Sequence, residues 1–237
     1  MKLSIIIPCY NEADNIPLIY DRLKEIITDR KDIEIILVNN GSTDNSKEVF
    51  SNCIDSTENS FKVHNIDVNQ GYGFGILSGL SVASGDVLSW THADMQTDPL
   101  DVIKAFDLFK VDSNGKFIIK GKRKSRRLIE AFFTFGMQLV AYYYLRVYMD
   151  DINAQPKMFD RNFYISYIKD KAPYDFSLDL FLLYTALKEG YNIKTIPVYF
   201  AKRQHGEAKG GGSFKTRIKL IKRTFSYIKE LNSKING

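Results

Sequence analysis

The sequence predicts an α/β fold in which a central, mostly parallel sheet is wound with helices. Three observations carry that reading. Short apolar runs recur through the first half of the chain, each leading through a polar loop into a helical segment, and repetition of that unit builds a doubly wound sheet. The 237 residues suffice for one sizeable domain or one domain with an appended surface layer, and 44% of them are hydrophobic, enough for a packed core. The polar stretch from Trp90 to Pro99 falls between a strand-like run and a helical one, and the carboxyl end of a strand is where open α/β sheets hold ligands.

Taken in order, Leu3 to Ile7, closed by Pro8, is a buried parallel strand. Pro8-Cys9-Tyr10-Asn11-Glu12 forms a loop, and Asp14 or Asn15 caps a helix reaching about Asp29, with Pro17 in its first turn. Ile33 to Val38 is the second strand, Asn39 to Asp44 a turn-rich segment, and a helix runs from Asn45 or Ser46 to about Cys53. Phe61 to Ile66 is the third strand, after which Asn69-Gln70-Gly71-Tyr72-Gly73-Phe74-Gly75 opens a helix to Ala83. Those glycines suit either a tight turn with close packing or a phosphate loop. They form no dinucleotide fingerprint, and no P-loop lysine-serine pair follows them. Asp86 to Ser89 is the fourth strand, Leu100 to Phe109 a helix, and Phe117 to Ile119 a fifth strand entering the basic run Lys120 to Arg127.

Leu128 to Met149 carries Glu130, Thr134, Gln138, Tyr142 and Arg146 at four-residue steps, a narrow polar stripe on an otherwise apolar and aromatic helix. It packs between other elements, or it lies in a membrane interface with Arg123, Lys124, Arg126 and Arg127 against acidic lipid. Asp150 to Phe159 is unusually polar for a linker. A short helix is expected over Arg161 to Ile168, another over Phe176 to Lys188 ending at Gly190, and a strand over Ile193 to Ile196, with Pro197 on an edge or exit. The basic, glycine-rich loop from Arg203 to Gly212 reads as a closing lid or as a surface connector. In residues 213–237, Phe214, Ile218, Ile221, Phe225 and Ile228 alternate with lysines and arginines, giving a basic amphipathic helix that docks on a membrane surface or partner, or packs back with its basic face solvated.

A net charge of +5 favours anionic partners. Nucleic acid is disfavoured, because the sequence has neither a reader module nor an aromatic and basic single-strand platform. Two cysteines, Cys9 and Cys53, lack disulfide density and zinc spacing, which points to a reducing compartment. The apolar run after Lys2 is too short for a signal peptide, and no uninterrupted apolar run of about 18 residues suggests a spanning helix.

His92, Asp94 and Gln96 are the candidates for holding a divalent cation. Taken together, Ile5 through Glu12, Val38 through Asp44, Asn69 through Gly75 and Ala93-Asp94-Met95-Gln96 resemble the family 2 glycosyltransferases. Arg203-x-x-Gly206-x-Ala208-Lys209 looks like the loop of the dolichyl-phosphate and polyprenyl-phosphate mannosyl- and glucosyltransferase branch. The resemblance covers about residues 3 to 212. It implies a GT-A fold over residues 1–212, with a nucleotide-sugar-binding half at 1–119 and an acceptor-side half at 120–212. It also departs from the family pattern. Asn39 and Asn40 stand where paired aspartates are usual, His92-Ala93-Asp94 replaces Asp-Ala-Asp, and Gln155-Pro156-Lys157 replaces the usual acceptor-loop wording.

The implied reaction is metal-dependent inverting transfer from an NDP-sugar to a polyprenyl phosphate or other lipid-linked acceptor, by a cytoplasmic protein peripheral to the inner face of the membrane. Pro8, Tyr10, Asn11, Glu12, Asn39, Asn40, Asp44, Gly71, Gly73 and Ala93 would line the donor. Mn2+ or Mg2+ would sit on Asp94, with Gln96 assisting and His92 either ligating or touching sugar or phosphate. Arg203 and Lys209 would meet the leaving phosphate. Asp151, Asn153, Gln155 and Lys157 would shape the acceptor side, and Asp179 falls where an acidic acceptor-site residue is expected. A hydroxyl acceptor would need such a carboxylate as base, whereas a lipid phosphate is already anionic. The rivals are a hydroxyl-directed transferase of surface polysaccharide or glycolipid, and a non-catalytic membrane scaffold with a degenerate transferase fold. Oligomeric state is left open by the sequence.

Overall fold

The computed structural model describes the chain except residues 56–57, 113–114, 125–127, 202, 204, 207–213 and 237, and except the side chains of 128–135, 137, 214–217, 220 and 234–236. Among the described residues seven strands form one sheet in the order β3-β2-β1-β4-β6-β5-β7. They are β1 (Leu3–Cys9), β2 (Ile33–Asn40), β3 (Phe61–Ile66), β4 (Val87–Trp90), β5 (Phe117–Lys124), β6 (Lys157–Asp160) and β7 (Asn192–Tyr199). Only β6 runs against its neighbours, pairing antiparallel with both β4 and β5. The fully buried runs LSIII and IEIILVNN explain why the central pair is parallel, because helices cover both faces of the sheet.

One face carries α1 (Ile16–Ile26), α2 (Ser46–Cys53) and α4 (Leu100–Val111), packed through Ile19, Leu23, Phe50, Val102 and Phe106 onto Ile5, Ile7 and Ile35. The other carries α3 (Tyr72–Val82), α5 (Leu128–Leu145), the short α6 (Arg161–Phe163) continued by a π turn over Tyr164–Ile168, α7 (Leu178–Lys188) and α8 (Phe214–Asn236). Ile6, Val38 and Trp90 line that second core.

The differences from expectation have local causes. Asn39 and Asn40 continue β2 instead of starting the turn, because both pair with β3. Asn15 precedes α1 but makes no side-chain cap, since its amide is drawn to Glu12. The start of the basic run, Lys120 to Lys124, belongs to β5, paired along its length with β7. The polar linker conceals β6, a four-residue strand. Gly121 permits that insertion, since a Cβ there would lie 2.0 Å from the Gln155 carbonyl oxygen. Pro197 sits on β7, an edge strand, where its missing N–H costs no ladder bond.

Helices α5 and α8 pack together, with Ala141, Leu145, Ile228 and Leu231 in the core and the Tyr144 and Phe225 rings 5.7 Å apart, edge to face. Leu139, Tyr142 and Tyr143 remain exposed on α5, as do Lys219, Lys222 and Lys229 on α8. Among the described residues, no helix is long and apolar enough to cross a membrane.

Candidate active site

The loops leaving β1, β2 and β4 meet at the carboxyl edge of the sheet, where the chain turns from β2 and β3 on one side of β1 to β4 on the other. Hydrogen bonds lock the first two loops together. Asn11, at φ 52°, accepts through Oδ1 from the Thr43 and Asp44 N–H groups at 2.8 and 3.4 Å, and its own N–H donates to Ser42 Oγ at 3.1 Å. The Glu12 N–H donates to Ser46 Oγ at 3.2 Å. Burial raises the Asp44 pKa, but hydrogen bonds from Ser46 and Ala13 outweigh it and hold the carboxyl below its ordinary range. Pro8 and Tyr10 are half-buried beside these bonds.

Asn39 is committed on both sides of its amide. Its Oδ1 accepts from the Ser42 N–H at 3.3 Å and its Nδ2 donates to Asn65 at 3.1 Å. Asn40 Nδ2 donates to the Gly71 carbonyl at 3.1 Å, while its Oδ1 is buried without a partner. What approaches Gly71 and Gly73 closely is the backbone of Pro173 to Asp175; a Cβ at either would lie 2.5 Å from a carbonyl oxygen there.

After β4, Ala93 is buried and the backbone turns through Met95 at φ 56°, so that Asp94 Oδ1 accepts from the Gln96 N–H at 3.2 Å. Asp94 Oδ2 lies 3.4 Å from Nη1 of Arg203, whose Nη2 pairs with Glu12. Two exchanges bring Arg203 there. Gln96 and Ala201 bond through their backbones at 2.8 Å, and Gln96 Nε2 donates to the Ala201 carbonyl at 3.2 Å. Asn15 Nδ2 donates to Glu12 at 2.6 Å and to the His205 carbonyl at 3.4 Å. Lys209 lies outside the described residues.

Half-buried His92 lies beside Tyr72, their ring centroids 6.4 Å apart. Burial lowers its pKa, against the pull of Asp94 and Asp179, so the imidazole is neutral at pH 7 and can accept. Asp94 offers a carboxylate and His92 a neutral imidazole as donors to a divalent cation, and the guanidinium of Arg203 lies against Asp94 Oδ2. Among the described residues no three His, Cys, Asp or Glu side chains group to hold a metal unaided. Oxygens of a bound ligand would complete the shell.

Next to this edge is a buried polar cluster. Lys157 starts β6 opposite Trp90, the last residue of β4, and is 0% exposed. Its Nζ lies 2.9 Å from Asp179 Oδ1 and donates to the Ala154 carbonyl at 2.6 Å. Burial lowers the Lys157 pKa and Asp179 opposes it. Asp179, at the first turn of α7, also accepts from Gln155 Nε2 at 3.0 Å and the Tyr72 hydroxyl at 3.3 Å. Burial, then Asp179, raises the Tyr72 pKa well above its usual value. Lys120, paired with Lys157 across β5 and β6, is also buried and grips the Asp151 carbonyl and Asp150. Arg123 holds Asp151 through Nε and Nη2 at 3.0 and 2.6 Å, while Asn153 is exposed. Sequence reasoning missed Tyr72, Lys120 and Asn15. For Lys120 the signal was available, as a lysine next to the apolar run FII in a strand.

A model of glycosyl transferase family 2 matches residues 4–157. An uncharacterized glycosyltransferase of Synechocystis sp. is 33% identical over 54% of this chain and 39% of its own. The undecaprenyl-phosphate 4-deoxy-4-formamido-L-arabinose transferase of Photorhabdus laumondii is 28% identical over 53% and 38%. The matched region is therefore well under half the length of these curated relatives. In fold, the chain superimposes on glucosyl-3-phosphoglycerate synthase from Mycobacterium tuberculosis, solved with Mn2+, UDP-glucose and phosphoglyceric acid, at a TM-score of 0.71, with 15% identity and coverage of 98% of this chain and 80% of that one. The fold is the GT-A type, and with a family model spanning most of its length the chain belongs to glycosyl transferase family 2.

Proposed function

We propose that the chain transfers a sugar, with inversion, from a nucleoside-diphosphate sugar to a lipid-linked phosphate at a membrane surface. The observation that carries this is Asp94, a carboxylate at the carboxyl end of β4 that faces a cation held between two loops. The manganese and UDP-glucose of the mycobacterial neighbour, and the undecaprenyl phosphate named for the Photorhabdus relative, support donor, metal and acceptor class.

A divalent ion on Asp94 would neutralise charge on the departing β-phosphate. Arg203 adds a guanidinium suited to bidentate contact with phosphate oxygens. The Asn11, Ser42 and Asp44 lattice fixes the loops at the nucleoside end, so little ordering is left for binding. The acceptor phosphate oxygen attacks the anomeric carbon as the bond to the nucleoside diphosphate breaks. A phosphate is the favoured nucleophile because Asp179 is buried and already accepts from Lys157, Gln155 and Tyr72. A carboxylate in that position is a poor base for a hydroxyl. The exposed Leu139, Tyr142 and Tyr143 of α5 and the exposed Lys219, Lys222 and Lys229 of α8, which packs against it, supply the lipid-facing surface.

The test is a panel of UDP- and GDP-sugars with Mn2+ or Mg2+, with and without polyprenyl phosphate, following both nucleoside diphosphate and glycolipid. Metal- and lipid-dependent glycolipid from one donor is expected. Donor hydrolysis without glycolipid would move the acceptor to a hydroxyl, and no donor chemistry or binding would favour the scaffold reading.

A further inference from the structure

Glu12, Asp94 and Arg203 form a closed ion triad in which one guanidinium serves two carboxylates, 8% and 9% exposed, from loops that are far apart in sequence. Each oxygen of Asp94 is engaged, Oδ1 by the Gln96 N–H and Oδ2 by Arg203. A cation arriving alone at Oδ2 therefore meets a resident positive charge, and like charges at contact distance repel strongly in a low-dielectric setting. Arg203 cannot simply swing into water without cost either, because Glu12 and the His205 carbonyl, at 2.8 Å from its Nε, hold it in place. What can draw it off Asp94 is a nearby anion with paired oxygens, the geometry a guanidinium binds in bidentate fashion.

We propose that Arg203 is a built-in placeholder on Asp94, and that the site takes its divalent cation as the chelate of a nucleoside diphosphate, not as the free ion. Arg203 would pass from Asp94 Oδ2 to the pyrophosphate, leaving that carboxylate oxygen open to hold the chelated cation. Two cations thereby trade partners in one event. The order of loading follows: metal and nucleotide enter together, and the Arg203 guanidinium ends on the phosphates. This inference rests on the donor assigned above.

The experiment titrates Mn2+ into the full chain, reading the free ion by electron paramagnetic resonance, without nucleotide and with UDP or GDP, and subtracts the Mn2+ that the same nucleotide chelates in the absence of protein. The wild type is expected to bind Mn2+ alone weakly and to bind it at least about tenfold tighter with one of the nucleotides. Arg203→Gln is expected to bind Mn2+ alone at least about tenfold tighter than the wild type, with a smaller gain on adding nucleotide. Arg203→Lys, which keeps a charge but not the paired fork, should fall between them, and thermal melts of all three confirm folding. If Arg203→Gln binds Mn2+ alone no tighter while nucleotide still tightens the wild type, the placeholder is wrong and the donor assignment stands. If no nucleotide changes Mn2+ binding in either protein, the chelate proposal and the donor assignment both fall.

Discussion

Two cation–carboxylate pairs lie at the same edge of the sheet and are built in opposite ways. Arg203 reaches Glu12 and Asp94 from a loop, and all three belong to segments without regular structure. Lys157 and Asp179 come from a strand and a helix, are 0% and 2% exposed, and share their remaining bonds with Ala154, Gln155 and Tyr72. The loop pair can exchange partners where an incoming anion takes the place of Asp94 on Arg203. A buried pair cannot, because separating it strands a charge away from water. The contrast separates a region that trades ligands from a wall that shapes the space beside it.

Breaking the wall should give the largest effect. Lys157→Met leaves Asp179 buried without its cation, and a stability loss of about 3–5 kcal/mol is expected in urea unfolding. Adding Asp179→Leu should recover part of it; no recovery would mean the two residues are not coupled. On the exchanging side, Asp94→Asn should leave the unfolding midpoint nearly unchanged and lower metal-dependent turnover by about a hundredfold or more. A smaller loss would remove Asp94 from the metal. Tyr72→Phe tests the link between the regions, since its ring faces His92 and its hydroxyl serves Asp179 and Gln155. About 1 kcal/mol of stability should be lost.

The wall also has a pH signature. Burial, then the charge of Lys157, lowers the Lys120 pKa to about 8. The unfolded chain keeps that proton up to the ordinary lysine value of about 10.4, so it binds more protons than the folded chain between those limits, and stability from this residue rises with pH there. Lys120→Met should therefore be more destabilising relative to wild type at pH 9.5 than at pH 7.5, measured by urea unfolding. An equal effect at both would place the titration elsewhere. The smallest effect belongs to the outer surface. Because Ile228 and Leu231 of α8 are in the core, truncation would confound the test and point changes are preferable. Tyr142→Ser with Lys222→Glu should weaken sedimentation with anionic vesicles several-fold. Unchanged partition would move the lipid-facing surface away from α5 and α8.

How much of this was legible in the sequence follows from range. The apolar runs reveal β1 through β4 and the helices after them because burial on both faces writes itself into consecutive residues, as in Ile33 to Val38. Asp94 was visible as a polar group after such a run. β6 was not, since a four-residue strand beginning with lysine carries no periodic signal. Asn39 was read as lining the donor, but its partners Ser42 and Asn65 were not legible, because they depend on pairing with β3. The occupied state of Asp179 was likewise invisible, because Lys157, Gln155 and Tyr72 reach it from sequence separations of 22, 24 and 107.

The most direct measurement is sugar transfer to undecaprenyl phosphate by Asp179→Asn, compared with wild type across pH at a temperature where both are folded. With an anionic acceptor and Asp179 serving only to hold Lys157 and Tyr72, the variant should keep at least about a tenth of wild-type turnover with the same pH profile. A loss of about a thousandfold or more, with the acid limb of the profile gone, would make Asp179 the base and the acceptor a hydroxyl.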